Sequence, residues 1–183
     1  MSAPCRRWFT LRYLRSVPCR RFRVRSATRS KERAPVINVA DRIETAPTLE
    51  RLVKATNDVL GAVGVLVTRV TNTRQIVLAN SGIALPATLA SWQPLSHSIC
   101  QHAVAMDFPL AIDDTITHPL LQGNSAFSDL RVAAYLGAPV HDRRGKATGA
   151  ICALEVRQRR WTQENIDTIR QAAAVADRLI QRA

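Results

Sequence analysis

Apolar positions in this chain change period several times, and each change marks an element. Leu49, Leu52, Thr56, Val59 and Val63 recur at spacings of three and four, which predicts a helix with one largely apolar face from Pro47 onward. Pro47 suits a first turn, and Glu50 lies near the positive end of the helix dipole. Gly61 and Gly64 close that helix, and Val65 to Val70 continues as a strand rich in β-branched residues. A turn at Thr71 to Arg74 returns the chain as a second strand, Gln75 to Ala79, making a hairpin. Residues Ser81 to Pro94 include Gly82, Pro86, Ser91 and Pro94, which predicts a loop or short helix over one face of the sheet.

A second helix follows, where Ser98 and Gln101 have the spacing of a capping box and Ile99, Ala103 and Met106 make a buried stripe. Asp107-Phe108-Pro109 ends it, and Leu110 to Ile112 is a short strand leading into Asp113 and Asp114. Residues 115 to 130 are polar and irregular, closing in a short helix from Ser125 to Leu130. Two strands, Ala133 to Val140 and Ala147 to Val156, join across the polar tip His141 to Lys146. The last helix takes Thr162 as N-cap and Trp161 with Ile166 as a hydrophobic staple; Ile166, Ile169, Ala173, Ala176 and Ile180 form its stripe. This order predicts an α+β fold of three layers, α/β/α, around a central, mainly antiparallel sheet. The apolar stripes of the terminal helices suit pairing with each other and with a second copy, so a homodimer is expected.

Net charge alters the picture only at one end. The chain of 183 residues carries +12, but residues 1–35 hold eleven Lys and Arg against the single acid Glu32, leaving +2 for the remainder. The folded part therefore offers no general basic surface for nucleic acid. The Arg-rich segment lacks a regular apolar period and reads as a disordered basic leader of 1–35, with one domain over 36–183. Three readings of the leader stay open: an inert segment, an organelle-type transit peptide, or a basic arm for nucleic acid or anionic lipid. Translation from a later start, concealed at Val17, Val24 or Val36, is a version of the first.

Four cysteines occur, Cys5 and Cys19 in the leader and Cys100 and Cys152 in the domain. There is no CxxC, and Cys100-Gln101-His102 is too tight for the usual tetrahedral zinc spacings, so no metal is expected. Two domain cysteines do not make a secreted disulfide scaffold, which points to a reducing cytosol and a cytoplasmic protein. No apolar run reaches the roughly 18 residues that span a bilayer, so no membrane partner is expected. Arg6-Arg7-Trp8-Phe9 has the look of a twin-arginine signal, but Arg12, Arg15, Arg20, Arg21 and Arg23 interrupt the apolar stretch that export requires.

The run Pro94-Leu95-Ser96-His97-Ser98-Ile99-Cys100-Gln101-His102-Ala103-Val104 resembles the helix of a bacterial sensory subclass of the GAF domain family. Pro109 to Asp114, His118 to Leu121, Ala134 to Val140, Gly149 to Leu154 and Arg160-Trp161-Thr162 are similar to its further motifs in the same order. Similarity is dense from Pro94 to Ile169 and one of topology alone from Pro47 to Gly82. Asp107-Phe108 stands where many relatives have Gly. The resemblance implies a GAF-like fold with a ligand pocket between sheet and helices, commonly serving a histidine kinase, phosphatase, cyclase or transcription factor. None of those effectors fits in this chain, so a stand-alone sensor or adaptor without catalytic activity is expected, its small-molecule ligand and any cofactor unidentified.

Seven residues are candidates for contact with that ligand: Ser98, Cys100, His102, Asp113, Asp114, Tyr135 and Cys152. Cys100 falls in the first turn of its helix, where the dipole lowers a thiol pKa, but it equally suits a small buried hydrophobe. His102 reads as a haem or other ligand contact, or as a packed or solvent-facing side chain. Asp113 and Asp114 could bond a ligand as paired carboxylates or cap the following turn. Tyr135 places a hydroxyl in the pocket or is a strand aromatic with a wet tip. Arg143, Arg144 and Lys146 with Arg157, Arg159 and Arg160 form a basic edge or a solvated hairpin tip.

Two rival functions stand beside the sensor. Free methionine sulfoxide reductase shares the GAF fold and uses several pocket cysteines; Cys100 falls where one of them could lie, but Ser128-Asp129-Leu130-Arg131 supplies no thiol in the loop where another is expected. Nucleic-acid binding through the leader would weaken steeply with salt. No P-loop, GxGxxG fingerprint, nucleophile elbow or HExxH adds a further enzyme class.

Overall fold

The computed structural model of the chain describes residues 39–85, 92–122, 124 and 131–182, all within one compact unit, Val36–Ala183. The basic leader and the expected helix from Ser125 to Leu130 lie outside the described residues.

In chain order the elements are α1 (Val39–Glu44), α2 (Leu49–Leu60), β1 (Gly64–Val70), β2 (Arg74–Ser81), β3 (Trp92–Pro94), α3 (Cys100–Met106), β4 (Leu110–Ile112), β5 (Ala134–His141), β6 (Ala147–Glu155) and α4 (Gln163–Arg182). Short 3-10 turns cover Leu95–His97 and Pro119–Leu121. The strands form one sheet in the order β3-β2-β1-β6-β5-β4, and every neighbouring pair is antiparallel. The α+β architecture around an antiparallel sheet, expected from the patterning, is the one observed.

Strand parity sends alternate side chains to opposite faces. Val65 and Val67 of β1, Leu136 and Val140 of β5, and Ile151 and Ala153 of β6 share one buried cluster with Leu52 and Val53 of α2 and Ile169, Ala172 and Ala176 of α4. The intervening residues Leu66, Tyr135, Ala150, Cys152 and Leu154 form a second cluster with Ile99 and Cys100 at the start of α3. Both sheet faces are covered, so β5 reads as an unbroken apolar run. Fully burying a side chain such as Ile151 or Leu136 stabilises by about 1.5–3 kcal/mol.

Local chemistry sets the element ends. Thr48, in extended backbone, caps α2 by accepting the Arg51 N–H at 3.3 Å, and Gly61 terminates it at φ 56°. Pro47 thus precedes the cap instead of occupying the first turn, and Val63 lies beyond the helix, 38% exposed. At α4, Thr162 Oγ accepts the Asn165 N–H while Asn165 Oδ1 accepts the Thr162 N–H, a reciprocal cap. The Trp161 indole donates to the Ile112 carbonyl at 3.2 Å and Arg159 stacks on the ring, tying the β6–α4 connection to β4.

Two expectations are corrected here, and one element is added. Trp92–Pro94 is a strand, paired with Arg74, Gln75 and Ile76 of β2, and not part of a loop or helix. It is a three-residue edge strand ending in proline, too short for alternation to reveal. Met106 is 49% exposed, because α3 is only seven residues long and its buried contacts end at Ala103. Helix α1, which nothing in the pattern marked, buries Ile43 against the main core. The stripe of α4 and the apolar face of α2 meet in the main core, as expected of the two helices, while Val59, Ile166, Leu179 and Ile180 stay partly exposed.

Candidate functional site

The second cluster encloses a small cavity between α3 and the sheet, about 20 Å³. That is room for a single water-sized molecule. Leu66, Ile99, Val132 and Leu154 supply its apolar walls, and Gln75, Gln93, His97, Cys100, Tyr135 and Cys152 its polar ones.

Register explains the gathering. Cys152 pairs with Leu66 of β1 on one side and with Gly137 of β5 on the other, so all three share a face with Tyr135, two residues before Gly137. A Cβ at Gly137 would lie 2.2 Å from the Tyr135 hydroxyl oxygen. The phenol therefore lies along the strand over a residue that must lack a side chain. Tyr135 is fully buried, and its hydroxyl makes no hydrogen bond of good geometry among the described residues, although the Cys100 thiol lies beside it.

From the opposite wall, Cys100 brings its sulfur to 3.5 Å from that of Cys152, and both thiols are buried and free. Hydrogen bonding from Cys152 pulls the Cys100 thiol down to about 7, against burial that pushes it up and helped by the nearby Tyr135 and Thr68 hydroxyls. The Cys152 thiol is pushed up, by that same partnership and by burial. Their shared contact thus lowers the Cys100 thiol and raises that of Cys152. Burial, and then the charge of Cys100, push the Tyr135 phenol upward, so it stays protonated and available to donate.

A buried polar chain completes the site. Ser98 Oγ donates to Gln75 Oε1, and Gln75 Nε2 donates to Gln93 Oε1 at 3.4 Å. Ser98 Oγ also accepts the Gln101 N–H at 3.1 Å, as a capping residue should. The Gln101 amide, however, donates to the Leu95 and Ser98 carbonyls, so the reciprocal half of the expected box is replaced by a clasp on the preceding turn.

Of the seven candidates, the structure brings Cys100, Tyr135 and Cys152 together at the cavity, with Ser98 one hydrogen bond behind Gln75. His102 does not line it; burial, and then the neighbouring His118, lower its pKa. Asp113 accepts the Trp161 N–H at 3.0 Å, and Asp114 accepts from the Ile116 N–H, the Thr117 hydroxyl and the Gln158 amide. Both carboxylates serve turns and connections. Gln75, Gln93 and His97 were not anticipated: a glutamine in a strand carries no mark of facing inward, and Gln75 and Gln93 are buried by their pairing in β2 and β3, while half-buried His97 is brought to the cavity by the 3-10 turn after β3. Among the described residues no cluster of His, Cys, Asp and Glu could hold a metal ion, and no helix is long and apolar enough to cross a membrane.

The described residues thus build a three-layer module with a small pocket between its sheet and a short helix. The chain belongs to the GAF domain family, whose match covers residues 44–178. No significantly similar protein is found among curated sequences. Similar solved structures include the GAF domain of an Acinetobacter phosphoenolpyruvate-protein phosphotransferase, at TM-score 0.60 and 15% identity over 78% of this chain and 87% of that one. A methyl-accepting chemotaxis protein segment matches at TM-score 0.58 and 20% identity, over 78% and 94%. The free methionine-R-sulfoxide reductase of Neisseria meningitidis, in complex with its substrate, matches at 0.59 and 14%, over 77% and 80%. Identities this low establish a shared fold.

Proposed function

We propose that this chain is a sensory GAF domain that takes a small molecule into the cavity beneath α3 and passes its occupancy to a signalling partner, without catalysing a reaction. The Tyr135 hydroxyl carries the reading: a buried donor without a partner costs about 1–3 kcal/mol, which a ligand acceptor in the adjoining cavity would offset. The cavity limits the ligand to very few heavy atoms unless His97 and Gln93 swing aside. The Ser98 to His102 motif supports a place in the bacterial sensory subclass. The phosphotransferase and chemotaxis proteins that share the fold favour a kinase-type, phosphatase or cyclase partner. A homodimer in the cytoplasm completes the proposal.

Tyr135→Phe is the test. Its expected effect is an unliganded protein at least as stable as wild type, together with loss of any small mass that native mass spectrometry finds retained by the full-length wild type. Wild type that carries no mass, with Tyr135→Phe less stable, would overturn the reading. Native mass also reports the oligomer, and a monomer throughout would refute the dimer. For the reductase alternative, free methionine-R-sulfoxide is expected to persist with the wild-type protein and dithiothreitol; turnover abolished by Cys100→Ser would make the chain an enzyme.

A further inference from the structure

We propose that Cys100 and Cys152 form a peroxide-oxidisable dithiol, closing an intrachain disulfide that ties the start of α3 to the middle of β6. The two sulfurs lie 3.5 Å apart although 52 residues separate them in the chain, and neither has another sulfur within the described residues to pair with. A disulfide needs about 2.05 Å, so closure asks for roughly 1.5 Å of approach. The first residue of a short helix facing a strand can supply that by rotation of two side chains.

The surroundings give the sulfurs unequal roles. Cys100 opens α3 with the Cys152 thiol 3.5 Å away and the Tyr135 and Thr68 hydroxyls beside it, whereas Cys152 lies in mid-strand between Leu66 and Gly137; these neighbours lower the Cys100 thiol and leave that of Cys152 raised. The Cys100 thiolate attacks one peroxide oxygen and breaks the O–O bond, becoming a sulfenic acid while hydroxide leaves. Cys152 sulfur then displaces the sulfenic hydroxyl, which leaves as water with the Cys152 proton, while the hydroxide of the first step takes the proton that Cys100 gave up. In sum two thiols and one hydrogen peroxide give one disulfide and two waters; the thiols lose two electrons and the peroxide gains them.

Access selects the oxidant. Both thiols are at most 2% exposed, and the cavity they line has the volume of about one water. Hydrogen peroxide, with two heavy atoms, is near the upper limit of what can approach, whereas a peptide disulfide such as oxidised glutathione is far above it. The sulfur pair does not depend on the ligand reading: a domain that retains no small molecule still holds the two thiols at this distance.

The experiment uses full-length protein with Cys5→Ser and Cys19→Ser, so that only this pair can react. After treatment with hydrogen peroxide, unfolding and alkylation, the expected result is a loss of about 2 Da, no alkyl group on either thiol and full recovery with dithiothreitol. Cys152→Ser should instead leave a sulfenic acid on Cys100 that dimedone traps, and Cys100→Ser should leave Cys152 reduced. Oxidised glutathione should act at least about tenfold more slowly than hydrogen peroxide at equal concentration, given the thiol burial. Complete alkylation of both thiols after peroxide, or Cys100 running to sulfinic acid without a crosslink, would overturn the dithiol; equal rates for the two oxidants would overturn entry through the cavity.

Discussion

Replacing His141 by glutamine should destabilise the domain more in acid than in base. His141, the last residue of β5, has both ring nitrogens against carboxylates: Nε2 is 2.8 Å from Asp107 Oδ1 and Nδ1 is 3.2 Å from Asp177 Oδ2. Carboxylate oxygens only accept, and a neutral imidazole has one N–H, so both contacts are satisfied only by the imidazolium. Burial lowers the His141 pKa, but the bonds to Asp107 and then Asp177 outweigh it and leave the pKa raised. Among the described residues lining the groove around His141, the remaining ionisable group is Arg170 of α4, whose like charge opposes the imidazolium. A folded pKa above the unfolded value of about 6.5 makes the stabilisation fully present below pH 6.5 or so and lost as pH rises through the folded value.

The magnitude is modest because the site is partly wet: Asp107 is 57% exposed, Asp177 23% and His141 28%. Screening reduces each charged contact to about 0.2–1 kcal/mol, so the pair contributes about 1 kcal/mol. Glutamine can still donate to one carboxylate, and for a domain of this size the loss lowers Tm by about 2–4 °C. Thermal unfolding of wild type and His141→Gln at about pH 5.5 and about pH 8.5 isolates the term, since every other side chain is the same in both proteins. A difference in Tm that does not change with pH, or an imidazole titration of His141 below the value for an unfolded chain, would refute the reasoning.

Other outcomes follow from the same geometry. Gly137→Ala puts a Cβ where the Tyr135 oxygen lies, so chemical denaturation should show a loss of about 1–3 kcal/mol; combined with Tyr135→Phe, which withdraws that oxygen, the loss should shrink, and strict additivity would count against the contact. Asp113→Ala removes the acceptor of the Trp161 N–H and should lower stability by about 0.5–1.5 kcal/mol without altering peroxide sensitivity. Gly61→Ala meets open space but a left-handed backbone, so its loss should be confined to about 1 kcal/mol; a larger loss would mean that the space is not open.

Much of this protein was legible in the residue pattern because the information was local. Periods of three to four and of two, the caps at Thr162 and Gly61, and the hairpin tip at Gly145 depend on neighbours a few residues away. Thus both hairpins, β4, α3, α4 and the layer arrangement follow from the sequence by itself. Edge strand β3 and helix α1 did not, because a three-residue strand and a six-residue helix hold too few positions to show a period. The candidate site divides in the same way. Cys100, Tyr135 and Cys152 stood out by residue type, but only antiparallel pairing in register brings Leu66, Cys152 and Gly137 side by side and lays the Tyr135 hydroxyl over the glycine. Only packing of α3 on that face closes Cys100 to 3.5 Å from Cys152. Contacts between residues 52 positions apart have no signature along the chain; they exist once the sheet has fixed which face each side chain occupies.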